Sequence, residues 1–397
     1  MSRMRITALF LLAMAAWLLS LADAESVQAA LPDTDIEATR DYIIYNDDTT
    51  LMRYNPVTGE RRVIVGGLEF GGFSVNPQGM VAYAVTVDGN QEIYVVDSSV
   101  PGSLPYQIIE RPSTHDRPLG WSRDGRYLAF ASELVGNDDD HVWLYVWDGE
   151  QSINITPHDL LELVDSYDIS WSYDNRLAFT VWFDRVGSNY HAELYAWDGD
   201  ETIKVMGSSG DDRFPGWSQD GQLAFLANDT NIYIWDGYST INGVADRESF
   251  VHVDPELTGW YSRPVWTPDS RLSFSGNSPE FGHAQSYIWD GQTATNIGQT
   301  PDYHSSAAIF REDGAYAFVT WFSAGQYIYV RDSNHHELLK TEAQNIPAWG
   351  ANNDLMYCTY GWHLTVWNGN ETQVVSSGDP IIATWQKTGQ SIYCTSG

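Results

Sequence analysis

The sequence predicts an all-β fold, a single β-propeller of four-stranded blades, and three observations carry that prediction. A phrase that opens on an aromatic residue and runs into a tight turn recurs along 397 residues at the spacing of a propeller blade. A second phrase, ending in Trp-Asp-Gly, recurs within the same copies. The chain is rich in Trp (17), Tyr (23) and Gly (33), and no window keeps a helical period over ten residues, which is the pattern of many short strands joined by turns.

The first phrase reads GWSRDGRYLAF from Gly120, SWSYDNRLAF from Ser170, GWSQDGQLAF from Gly216 and VWTPDSRLSF from Val265, with weaker copies from Gly72, Ile309, Ala348 and Thr384. Its leading aromatics are Phe73, Trp121, Trp171, Trp217, Trp266, Phe310, Trp349 and Trp385, separated by 48, 50, 46, 49, 44, 39 and 36 residues. In the Trp217 copy the stretch ending at Trp217 is the expected innermost strand and SQDG the turn. QLAFLA is then the second strand and NIYIW the third. Asp236-Gly237 reads as a two-residue hairpin of the primed type, with YSTING as the outer strand, and Asn368-Gly369 is the accepted substitute in a worn copy. One sheet cannot bury both faces alone, so the copies are expected to stack into a ring.

Trp385 leaves room for only two strands, IIATW and SIYCT, whereas residues 41–65 read as later strands of a unit without an opening phrase. Strands from both termini are therefore expected to share the closing blade, which protects a sheet edge. Eight blades follow, with seven as the alternative if one terminal strand is surplus. Cys358 and Cys394 hold equivalent places in consecutive copies, where sheets pack about 10 Å apart, so two separate buried thiols are expected rather than a bridge.

Tandem W-S-x-D-G-x-x-L-A-F units resemble those of the TolB-like β-propeller family, whose repeats also occur in propeller domains of prolyl oligopeptidase relatives. The resemblance runs from Gly71 to the C-terminus and implies the fold together with protein interactions at a cell envelope. One departure is the turn: the family often places Pro before the Asp, and only Pro268 stands there in this chain. Two lookalikes fail on spacing. Asp-boxes of sialidases need a residue between Asp and Gly, which are adjacent at Asp124-Gly125 and Asp220-Gly221, and the Gly-His pair of WD repeats does not recur with the copies.

Residues 1–24 read as an export signal: Arg3 and Arg5 precede an apolar run over 6–22, and Ala22-Asp23-Ala24 supplies small residues for cleavage. An uncleaved N-terminal anchor is the alternative. Residues 25–40 read as a flexible leader and 41–397 as the propeller domain. A secreted or periplasmic, envelope-associated monomer with no further membrane span is expected. Formal charge is −32, an excess that repels phosphate backbones and anionic lipid, so nucleic acid is excluded as a partner class.

A propeller gathers functional groups where loops enter the innermost strands. Here those loops bring His115, Asp116, Arg117, Asp165, Tyr167, Asp168, Asp211, Asp212, Arg213, Tyr261, Arg263, Tyr303 and His304 toward one face. Loops between second and third strands open on the same face and add Trp182, Phe183, Trp321 and Phe322, with Phe281 and His283. The Asp and Arg residues are expected to pair with one another ahead of any ligand. No G-x-S-x-G elbow is present, Asp138 to Asp140 lack the alternation of a calcium loop, and His335-His336 is not an H-E-x-x-H motif. No catalytic residue, metal or cofactor is therefore assigned. The expected function is non-catalytic binding of a protein or peptide at the channel mouth, with a glycan or ester hydrolase or lyase, or a pure scaffold, as alternatives.

Overall fold

A computed structural model describes residues 41–394 except 48, 68–69, 110, 112, 136–141, 158–163, 184–190, 207–210, 229–230, 242–243, 246–249, 254–262, 323–324 and 378–380. At 70, 164–167, 183, 241 and 322 the backbone alone is described. The described chain is all-β, with no helix, and forms eight antiparallel blades in a ring.

Each repeat phrase becomes the inner half of a blade. The strands that open the repeats, Thr114–Trp121, Val164–Trp171, Arg213–Trp217, Val265–Trp266, Ile309–Phe310, Ala348–Trp349 and Ile381–Trp385, all end on the aromatic marker, and Phe73 lies within Phe70–Val75. We number the blades 1 to 8 from the one containing Phe73. The second strands carry the L-A-F wording and are covered on both faces by the flanking blades, which is why they are uniformly apolar; Leu223–Ala227 is buried throughout. Eight apolar clusters result, one at each blade joint, including the joint of blades 8 and 1 around Ile44, Leu51, Val75 and Tyr83. Each large side chain so buried contributes about 1.5–3 kcal/mol.

Four of the six marker tryptophans also carry a directional bond, while Nε1 of Trp121 and of Trp217 has no partner among the described residues. The indole Nε1 of Trp171 donates to the Gly120 carbonyl (3.0 Å), that of Trp266 to Gly216 (2.8 Å), Trp349 to Ile309 (3.2 Å) and Trp385 to Ala348 (3.0 Å). In every case the acceptor is the residue before the marker of the preceding blade. At the same edge the turn aspartates reach the following blade: Asp124 accepts from Asn175 Nδ2 at 2.8 Å. Burial works against the Asp124 carboxylate, yet the Arg126 amide, Asn175 and Ser122 outweigh it and hold its pKa at about 2.

Three local expectations need correction. In the Trp-Asp-Gly turns the aspartate flanks the turn instead of occupying it. Glycine alone of the pair is left-handed, with φ 101° at Gly149 and 102° at Gly291, and the Asp148 Oδ1 accepts the amides of Glu150 (2.9 Å) and Gln151 (2.8 Å). Asp198, Asp236, Asp290 and Asn368 repeat this arrangement, so Asn serves because its Oδ1 is an equivalent acceptor.

The stretch YSTING does not edge its own blade. Thr240–Ile241 and Val244–Ala245 form a hairpin whose Val244 pairs in parallel with Lys204 of blade 3, and Val251–Val253 is the outer strand of blade 4. Arg176 of blade 3 draws the turn over: its guanidinium lies 4.2 Å from the Tyr238 ring and donates to the Gly237 and Gly221 carbonyls.

The third correction concerns Cys358 and Cys394, which form a disulfide with Cα atoms 5.7 Å apart. Ile43–Asp47 takes the second-strand place in blade 8, pairing Ile43 with Trp385, so Ser391–Cys394 is displaced to the opposite, axial edge of Ile381–Trp385. The sheet order is Arg61–Gly66, Thr50–Tyr54, Ile43–Asp47, Ile381–Trp385, Ser391–Cys394. Cys394 is thereby no longer equivalent to Cys358 and meets it across the joint of blades 7 and 8. One terminal strand is thus surplus, but it is carried as a fifth strand of blade 8 and the ring keeps eight blades.

Candidate functional site

Innermost strands begin on the face that also carries the loops between second and third strands, and this face holds the predicted site residues that lie among the described ones. Counting back from the marker sorts them. Six residues before it stand His115, Asp211 and His304, and all three cap the preceding blade. His115 Nδ1 accepts the Gln91 amide (3.1 Å), Asp211 Oδ1 the Ala192 amide (3.1 Å) and His304 Nδ1 the Ala284 amide (3.2 Å). An Nδ1 that accepts leaves the neutral ring with its proton on Nε2. Burial, then the neighbouring His283, hold His304 below the usual histidine range.

Five residues before the marker the chain is buried. Asp116 and Asp212 are fully enclosed: Asp116 accepts from Thr114 Oγ1 at 3.3 Å, and Asp212 Oδ1 from the Asn228 amide at 3.2 Å. Burial pushes the Asp116 carboxyl up, opposed by Ser132 and Arg111. Four before the marker stand Arg117, Tyr167 and Arg213 in consecutive blades 2, 3 and 4. Arg117 is half-buried, and its side chain makes no hydrogen bond or ion pair with another described residue. The Tyr167 side chain lies outside the described residues, as do those of Phe183 and Phe322 and the whole of Tyr261.

Around Arg213 the mouth assembles a connected cluster of cations and rings. The guanidinium of Arg213 sits 5.7 Å from the Trp182 ring centroid and 5.1 Å from that of Phe214. Arg263 lies 6.0 Å from the Phe214 ring and donates to the nearly buried Asp168 at 3.2 Å. Asp168 belongs to blade 3 and Arg263 leads into blade 5, so the pair reaches past blade 4 and frames the axial opening. Phe214 itself has φ 58°, a conformation that is strained for a bulky residue and that persists only when surroundings impose it. The Trp182 Nε1 has no hydrogen-bond partner among the described residues.

A second aromatic run follows in blades 5 and 6. Phe281, His283, His304 and Trp321 succeed one another with centroids 6.3, 5.2 and 5.9 Å apart, the last pair nearly parallel at 9°. Tyr303 is half-buried beside it, its carbonyl accepting from Gln285 Nε2 at 2.8 Å. Phe214 escaped the sequence reading, although the residue before a proline is biased away from right-handed helix and Pro215 follows it. The shared offset of His115, Asp211 and His304 was readable once the markers were aligned.

Chemically, the mouth offers guanidinium groups and ring faces to an extended, partly anionic or aromatic ligand. Among the described residues no three His, Cys, Asp or Glu side chains are placed to hold a metal. No helix among the described residues is long and apolar enough to cross a membrane.

No protein-family model matches the chain, and no curated protein does. Among solved structures it is similar to dipeptidyl peptidase 4 of Porphyromonas gingivalis, at 13% identity and a TM-score of 0.55 over 89% of this chain and 58% of that one. It is also similar to prolyl oligopeptidase B from Galerina marginata, bound to a 35mer hydrolysis and macrocyclization substrate, at 12% identity and a TM-score of 0.54 over 78% of this chain and 50% of that one. The chain thus spans little more than half the length of these peptidases, and at such identities the likeness shows the propeller fold alone.

Proposed function

We propose that this protein is a non-catalytic, TolB-like propeller, exported to the cell envelope or beyond, that binds a peptide or protein partner through its channel mouth. The observation that carries the reading is the cluster of Trp182, Arg213, Phe214, Arg263 and Asp168, which spans three blades around the opening and holds Phe214 in a strained backbone conformation. Aromatic and arginine side chains together are the usual energetic anchors of peptide recognition. Export is supported by Arg3, Arg5 and the apolar run after them, and by the Cys358–Cys394 disulfide, a bond that persists in oxidising compartments.

The test is selection of a random peptide library displayed on phage, followed by calorimetry on the enriched peptides. Replacing Trp182→Ala together with Arg117→Ala is expected to weaken binding by about tenfold or more. Thermal denaturation of the variant separates lost contacts at the mouth from lost packing, since the Trp182 ring is half-buried against Arg213. Undiminished binding by the double variant would sink the assignment to the mouth. Turnover of a glycan or ester panel that disappears with Asp168→Ala or His304→Ala would replace the binding reading with the enzymatic one.

A further inference from the structure

On the same face, between blades 6 and 7, a cleft of about 330 Å³ is lined by Gly325, Tyr327, Glu342 and Tyr360. We propose that it receives an arginine side chain of a basic peptide. The site is independent of the channel mouth and goes beyond the peptide-binding role assigned there.

Its walls explain the choice of ligand. Tyr360 is about 45% exposed, and its hydroxyl crosses the blade joint to accept the Gln326 amide at 3.2 Å, which fixes one wall. Tyr327 stands on the third strand of blade 6, and Glu342 ends the paired outer strand directly opposite it. Gly325 keeps the space between the rings open. A Cβ at that position would lie 3.4 Å from the Tyr360 hydroxyl and 3.9 Å from Tyr327 Cε2, and its φ of 150° disfavours any other residue. Two tyrosine faces beside a carboxylate suit a guanidinium, which stacks on rings and offers its fork of N–H groups to the acid. The volume is at the small end of the range of about 300–1,000 Å³ for ligand pockets, which fits a single side chain.

A cation already favours one of these rings. The Lys340 ammonium lies 5.3 Å from the Tyr327 centroid and 4.9 Å from that of Tyr329. Lys340 is one of only three lysines in a chain of net charge −32, so the surroundings favour cationic partners, while Lys340 itself opposes an incoming positive charge.

The test titrates the full protein with the capped tripeptide Gly-Arg-Gly and with its citrulline counterpart, which keeps the shape and loses the charge. Calorimetry reads affinity, and tyrosine-selective NMR locates the contact. The arginine peptide is expected to bind about tenfold more tightly than the citrulline peptide. Glu342→Gln and Tyr360→Leu should each weaken it by about as much, and Lys340→Gln should strengthen it. Trp182→Ala at the mouth should leave it unchanged, which separates this site from the one above. Equal affinity for the two peptides, no effect of Glu342→Gln, or no binding by the wild type at millimolar peptide would each overturn the proposal. Attraction to the acidic surface in general would be indifferent to these substitutions and would count against it.

Discussion

The joint between blades 2 and 3 and the joint between blades 7 and 8 are made of the same words and fastened differently. At the first, Trp171 bonds the Gly120 carbonyl over a cluster that includes Leu144, Phe179 and Trp197. Two side-chain hydrogen bonds add to it, from Asn175 Nδ2 to Asp124 and from Thr202 Oγ1 to the Ile155 carbonyl, at 2.8 Å each. At the second, Trp385 bonds Ala348 in the same way, and three additions appear. Cys394 is bridged to Cys358, and Asn345 Nδ2 donates to the Tyr393 carbonyl at 2.8 Å. Asp41 ties both turns down, accepting the Ala351 and Lys387 amides at 2.8 Å each and that of Tyr42 at 3.0 Å. Blade 3 is built from strands consecutive in the chain and is held by apolar burial and single hydrogen bonds, whereas blade 8, which pairs Ile43–Asp47 with Ile381–Trp385, must also offset the entropy of bringing two chain ends together.

The largest expected effect tests what the two joints share. Trp385→Ala and Trp171→Ala should each cost about 3–5 kcal/mol, the usual range for an aromatic deleted from a core, as read by urea denaturation. A loss below about 1 kcal/mol at either position would mean that the indole bond and its cluster do not hold that joint. Next comes the covalent fastening. Cys394→Ser should cost about 2–4 kcal/mol, with reductant destabilising the wild type by a similar amount and leaving the variant unaffected, as read by urea denaturation. A wild type indifferent to reductant would assign closure to the strands alone.

The last effect concerns the buried acids of the closing joint and has the opposite sign. Burial, with the Asp41 charge adding to it, pushes the Asp354 pKa up to about 6. A carboxyl raised on folding binds more protons in the folded state, so stability falls as pH rises from about 4, the unfolded value, through about 6. At pH 7.5 Asp354 therefore carries a penalty on the order of 3 kcal/mol. Asp354→Asn should raise stability by that order at pH 7.5 and give no gain below about pH 4, measured by denaturation at the two pH values. A gain independent of pH would point to packing in place of charge.

The blade plan was legible because period and marker are local: each Trp and its turn lie within about ten residues, and their spacing reads directly as sheets. The disulfide was not. It depends on which terminal hairpin wins the second-strand place in blade 8, and both candidates carry the same alternation. At the mouth, the caps made by His115, Asp211 and His304 follow a fixed offset and could be read from aligned copies. The pairing of Asp168 with Arg263 could not, since it joins residues 95 positions apart over an intervening blade. The left-handed Phe214 is likewise imposed by its neighbours, with only Pro215 as a local hint.

The extra strand Ser391–Cys394 has one more consequence. Eight look-alike sheets would present an incoming partner with eight interchangeable orientations around the axis, and affinity would be shared among them. Added at the edge of one blade alone, with Tyr393 about half exposed upon it, the strand gives the ring a north: one side differs from the other seven.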